Sequence, residues 1–296
     1  MPTKPRAVDP QGSARWEPAR LERAPLQMKA PTTSTTDPHD RWVEHPRGRL
    51  FTRTWAPADL SEAQRLASLI VLFHDSLGCV APWRDFPARL SRAARRRVIA
   101  YDRLGCGRSG PRTDRPSLRF VSEEAEVYFP VLRELLGVQG FVAFGHSVGG
   151  GMALHCAAEF ASDCEALITE SAQVFAEDRT LQGIRAAREQ FRDAGQVERL
   201  ARYHGEARWV LDAWIGSWLH PGFASWTLAE VLPRVACPVL ALHGALDEYG
   251  STRHAELVGE RCGGPSRVAI LADTGHVPHR ERTASVLELV TGFLDE

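Results

Sequence analysis

The chain has 296 residues, 44% of them hydrophobic and 25% charged, enough to bury the core of one large domain or two modest ones. Its 36 basic and 37 acidic residues leave a formal charge of −1, which excludes the one-sided electrostatics of a nucleic-acid or anionic-membrane binder. All the basic residues except Lys4 and Lys29 are Arg, spread along the chain as a compositional bias and not as a phosphate-binding cluster.

Residues 1–40 are rich in Pro, Ser, Thr and charge without a sustained apolar period, so they read as an unordered tail, with Met28 as an alternative start. Two β-like runs at 42–44 and 50–55 flank Pro46-Arg47-Gly48 and read as a hairpin that opens a domain spanning residues 41–296. Compact apolar runs follow at 69–73, 98–101, 141–144, 166–169, 239–242 and 268–271. They have the character of strands buried on both faces of a mostly parallel sheet. Between them, 81–96, 122–136 and 150–161 have the length and spacing of crossover helices. The alternation predicts an α/β fold with a central sheet of about eight strands flanked by helices. At about 172–236 it stops, and a stretch rich in Arg, Glu, Ala and Leu, with Trp209, Trp214, Trp218 and Trp226, reads as an inserted helical cap.

Residues 141–158 carry no Asp, Glu, Lys or Arg, yet His146, Ser147 and the glycines at 149–151 argue for a strand, a turn and a buried helix, not a membrane span. No secretory segment is expected. Cys79, Cys106, Cys156, Cys164, Cys237 and Cys262 form no CxxC pair and no zinc-type spacing, so they read as reduced, buried residues of a cytoplasmic protein. Neither a metal nor another cofactor is expected.

The strand-like run at 141–144 leads into Gly145-His146-Ser147-Val148-Gly149 and then a helix. Small residues at 145 and 149 permit the strained turn that lifts a serine above a sheet, which makes Ser147 the candidate nucleophile. A serine needs a base and a group that orients the base. Asp247 follows the strand at 238–242 and His276 follows the strand at 268–271, both at the carboxyl edge where open α/β sheets bind ligands. Glu248 and Glu170 compete for the orienting role, and His279 for a structural one. Of the other histidines, His146 is expected to pack or line the pocket, and His155, His204, His220, His243 and His254 have bland homes, the last on a surface helix. Two backbone N–H groups, of Val148 and of Ser76 in the loop His74-Asp75-Ser76-Leu77-Gly78, are the candidate oxyanion donors.

With these motifs in order, the chain resembles the α/β-hydrolase family over residues 41–296. Tyr101-Asp102-Arg103-Leu104-Gly105-Cys106-Gly107-Arg108-Ser109 matches a further segment of that family, in which the resemblance implies that Asp102 and Arg103 brace loops. One departure is His74-Asp75 where many relatives have His-Gly, which sets a side chain and a charge beside the proposed oxyanion hole. Relatives that open epoxides or displace halide resemble the chain in outline but carry an aspartate at the elbow, and this chain has Ser147. The resemblance implies a small-molecule ester or lactone as substrate, with Ser76-Leu77-Gly78 similar to the loop of enol-lactonases. A meta-cleavage C–C hydrolase is the second expectation and a non-catalytic binder on the same scaffold the third.

Overall fold

The computed structural model describes residues 37–296; all but the last four positions of the tail expected at 1–40, and with them the start at Met28, lie outside the described residues. All five residues of β3 (Leu69–Phe73) are buried, because alternate side chains enter opposite cores: Leu69, Val71 and Phe73 one, Ile70 and Leu72 the other. The same division holds for β5 (Phe141–His146), where Phe141 and Ala143 oppose Val142 and Phe144, and for β7 (Val239–Gly244), where Val239 and Ala241 oppose Leu240 and Leu242.

Together with β1 (His39–Val43), β2 (Leu50–Trp55), β4 (Val98–Tyr101), β6 (Cys164–Glu170) and β8 (Ser266–Leu271), these strands form one eight-stranded sheet in the order β1-β2-β4-β3-β5-β6-β7-β8. The β1–β2 and β2–β4 pairs are antiparallel and the rest parallel, as the alternation in the sequence predicts. The boundary at residue 41 is corrected, since β1 starts at His39. Its first residues are polar because it is an edge strand, and Asp40 is held by Arg53 and Arg108 on neighbouring elements.

The connecting helices are α1 (Glu62–Leu66), α2 (Phe86–Ala94), α3 (Phe120–Glu123), α4 (Phe129–Leu136) and α5 (Val148–Glu159), with a π-helical turn (Glu124–Tyr128) between α3 and α4. Between β6 and β7 the chain forms α6 (Asp178–Gln190), α7 (Ala194–Ala201) and α8 (Ala207–Trp218), and it closes with α9 (Arg253–Arg261), α10 (Pro278–Glu281) and α11 (Thr283–Leu294). Helices α4, α5 and α9 pack on the core of one sheet face, whereas α2 and α11 pack on the other. Helix α5 is buried on nearly every side, which accounts for the uncharged run at 141–158 as a strand and a core helix. No helix among the described residues is long and apolar enough to cross a membrane.

All six cysteines are free, five of them buried. Burial pushes the thiols of Cys79 and Cys106 up, the latter to about 11, so neither is a nucleophile at neutral pH.

Phe144 is 0% exposed and packs edge-on against Trp83 and Phe86, at ring distances of 6.1 and 5.7 Å. Phe144→Ala is expected to lower the unfolding free energy by about 3–5 kcal/mol in urea titrations, because the cavity cannot collapse between two large rings. A loss below about 1 kcal/mol contradicts this packing.

Candidate active site

Ser147 sits between β5 and α5 at φ 57° and ψ −127°, a conformation L-residues rarely adopt. Its neighbours make the turn possible. A Cβ on Gly149 would strike the backbone carbonyls of Phe73 and His74, and one on Gly145 would strike the carbonyl of Gly149, so β5, α5 and β3 approach closely only with glycine there. The Ser147 N–H donates to the Glu170 carbonyl at 2.9 Å, which ties the turn to the end of β6.

From these positions three separate segments meet. Ser147 Oγ lies 3.0 Å from His276 Nε2, and His276 Nδ1 lies 2.8 Å from both carboxylate oxygens of Asp247. All three are buried, at 5%, 8% and 1% exposure. The loop after β7 fixes Asp247, whose Oδ1 accepts the N–H groups of Tyr249 at 2.7 Å and Gly250 at 3.1 Å. His243 Nε2 reaches Asp247 Oδ2 at 3.3 Å and the Gly250 carbonyl at 3.1 Å. Burial pushes the Asp247 carboxyl up, but the hydrogen bond and charge of His276 hold it below the usual carboxylate value. On His276 burial acts downward, and the Asp247 hydrogen bond and charge outweigh it, so the imidazole is more basic than usual.

The competing carboxylates lie elsewhere. Glu170 Oε2 takes a 2.6 Å hydrogen bond with His279 Nδ1, and Glu248 is exposed. His146 donates from Nε2 to the backbone carbonyl of His276 at 2.8 Å, and burial holds its basicity down at about 4, so it is neutral and packs beneath the site. His254 corrects the sequence reading: its helix is at the surface, but its ring is fully buried, accepting from Val174 N at 3.2 Å and donating to Glu177 at 3.1 Å. His204 also does more than fill the insertion, since its ring accepts from Gly107 N at 2.9 Å and donates to the Leu77 carbonyl at 3.0 Å, pinning two core loops.

The loop after β3 is braced from below. Arg103 donates from its backbone N–H to His74 Nε2 at 3.1 Å and from Nη2 to the Asp75 carbonyl at 2.6 Å, while Asp102 accepts the N–H groups of Val80 and Arg108. Ser76 lies on this loop and Val148 opens α5; among the described residues neither backbone N–H donates to a protein acceptor. Two free amides, one at a helix N-terminus, can receive negative charge. Asp75 lines the pocket too, and its carboxylate favours a positive His276.

A cavity of about 100 Å³ opens over Ser147 and His276, walled by Ser76, Ile184, Trp214 and Trp218. Two of the four insertion tryptophans thus reach the cavity. Trp209 lies on Gly105 and Trp226 stacks on Phe223 at 5.0 Å, because packing the insertion against the core uses them instead. Sequence reasoning missed Gln173, whose Oε1 accepts a hydrogen bond from Ser147 Oγ at 3.1 Å. Its only signal is its place just past the carboxyl end of β6, the edge where ligands of such sheets bind.

A sequence profile described as alpha/beta hydrolase fold matches residues 68–209. No curated protein matches the chain by sequence. Among solved structures the chain is similar to proline iminopeptidase from Mycobacterium smegmatis, at 19% identity and TM-score 0.66, covering 87% of this chain and 98% of that one. It is similar to a thermophilic esterase from Thermogutta terrifontis, at 18% identity and TM-score 0.65 over 87% and 98% of the two chains. The enol-lactonase from Burkholderia xenovorans LB400 matches at 19% identity and TM-score 0.65 over 86% and 100%. The profile match and the sheet order show the α/β-hydrolase fold in this chain. Identities this low carry the fold and not the reaction.

In an NMR titration His276 is expected to gain its proton at a pH above the ordinary imidazole value of 6.5. Asp247→Asn removes the opposing charge, so burial wins and the midpoint falls below the wild-type one. A wild-type midpoint under 6.5 contradicts the contact with Asp247.

Proposed function

We propose that this chain is a serine hydrolase that cleaves carboxylic esters or lactones of small to medium apolar substrates through an acyl-enzyme. The observation that carries the reading is the unbroken hydrogen-bond chain from Ser147 Oγ through His276 to Asp247, with no other carboxylate among the described residues hydrogen-bonded to the imidazole. In this reading Ser147 Oγ attacks the substrate carbonyl while its proton passes to His276 Nε2, and Asp247 holds the Nδ1–H tautomer and stabilises the imidazolium. The amides of Ser76 and Val148 receive the oxyanion. As the tetrahedral species collapses, the bond to the leaving oxygen breaks and His276 returns the proton to that oxygen. Water, deprotonated by His276, then attacks the acyl carbon, and the proton comes back to Ser147 as the acid leaves.

The insertion acts as a cap in this account, with Trp214 and Trp218 as an apolar wall that suits a small acyl group. An esterase and an enol-lactonase among the structural relatives are in keeping with it. Free, buried thiols fit a cytoplasmic setting.

Ser147→Ala is expected to lower turnover of a short-chain p-nitrophenyl ester on the order of 10⁴-fold, with the fold unchanged by circular dichroism. Retention of most of the activity moves the chemistry away from Ser147.

A further inference from the structure

The Ser147 hydroxyl has one proton and two acceptors within reach, His276 Nε2 at 3.0 Å and Gln173 Oε1 at 3.1 Å. Gln173 is 4% exposed and lines the same cavity as Ser147 and His276. Attack sends the proton to His276, and while Oγ carries an acyl group it has no proton to give. Through that interval Gln173 Oε1 loses its donor. A buried acceptor without a partner is costly, so a substrate that is purely apolar around its carbonyl works against this amide. Thr180, the nearby hydroxyl on α6, is committed to the Tyr249 carbonyl at 2.6 Å and does not supply a replacement.

We propose that Gln173 is a specificity-determining residue, whose side-chain carbonyl accepts a hydrogen bond from an O–H group on the acyl part of the substrate, close to the scissile carbonyl. The inference rests on the serine-hydrolase reading above and narrows its substrate class to hydroxyacyl esters or hydroxylated lactones. Such a substrate takes the place of the serine hydroxyl at Gln173 and leaves the Ser147 proton to His276, so binding and activation of the nucleophile are coupled. No atom of Gln173 forms or breaks a covalent bond; it exchanges one donor for another.

The test compares phenyl butyrate with phenyl 2-hydroxybutyrate and phenyl 3-hydroxybutyrate, each kcat/KM divided by the ester's own rate of alkaline hydrolysis. Wild-type enzyme is expected to favour one of the hydroxy esters by roughly 10- to 100-fold, the scale set by leaving one buried acceptor unpaired. Gln173→Met, which keeps the length of the side chain and removes the amide, is expected to bring that ratio within about threefold of unity, and Gln173→Glu, which keeps an acceptor, to retain a preference. Equal treatment of all three esters by the wild type overturns the inference alone, whatever the variants do. An unchanged ratio in Gln173→Met also overturns it. Failure of the wild type to hydrolyse any of the esters overturns the serine-hydrolase reading and this inference with it.

Discussion

The strained turn at Ser147 is the constraint on which the rest of the structure depends. A serine at φ 57° costs on the order of 1–3 kcal/mol, and it persists only where its surroundings leave no alternative. Here three adjacent strands supply that confinement. β5 delivers the chain, the β3 backbone presses on Gly149, and the Glu170 carbonyl at the end of β6 takes the Ser147 N–H. Because β3, β5 and β6 are consecutive neighbours in the sheet, the apolar packing that fixes the strands also fixes the serine. Sheet stability and site geometry are one property in this chain.

A buried polar layer performs the same service for the other two groups. His146, the residue before the serine, holds the backbone of His276 by its carbonyl, and His279 is anchored on Glu170 while its ring lies 4.5 Å from that of Trp83. On Glu170, burial raises the proton affinity, but the charge and hydrogen bond of His279 outweigh it and keep the carboxylate ionised. His243 does for Asp247 what His146 does for His276. Polar groups this deep are expensive unless satisfied, and two of these contacts, His146 on the His276 carbonyl and His243 on the Asp247 carboxylate, hold members of the Ser147–His276–Asp247 chain directly.

Much of this was legible in the sequence because the relevant physics is local. A five-residue all-apolar run bounded by turn signals and repeated between helix-length segments suits a strand covered on both faces, and Gly-x-Ser-x-Gly between such a run and a helix suits a tight turn. The strand edge at which Asp247 and His276 were expected to meet also follows from alternation alone. What was not legible depends on contacts between distant segments. The first residues of β1 look like a tail because an edge strand is stabilised by partners such as Arg53 and Arg108, not by its own apolarity. Gln173 belongs to no motif and gains meaning only when β6 is laid beside β5. His254 reads as a surface residue on its helix until Glu177 and the Val174 N–H close over it.

The proposed chemistry requires that the buried serine at the elbow be the one made nucleophilic. The most direct measurement is peptide mass mapping of the native chain after exposure to a fluorophosphonate, which reports the position of any phosphonylated serine independently of the substrate. A single adduct on Ser147 is expected, lost when His276 is replaced by Ala. An adduct on another serine, or a native chain that stays unmodified, contradicts it.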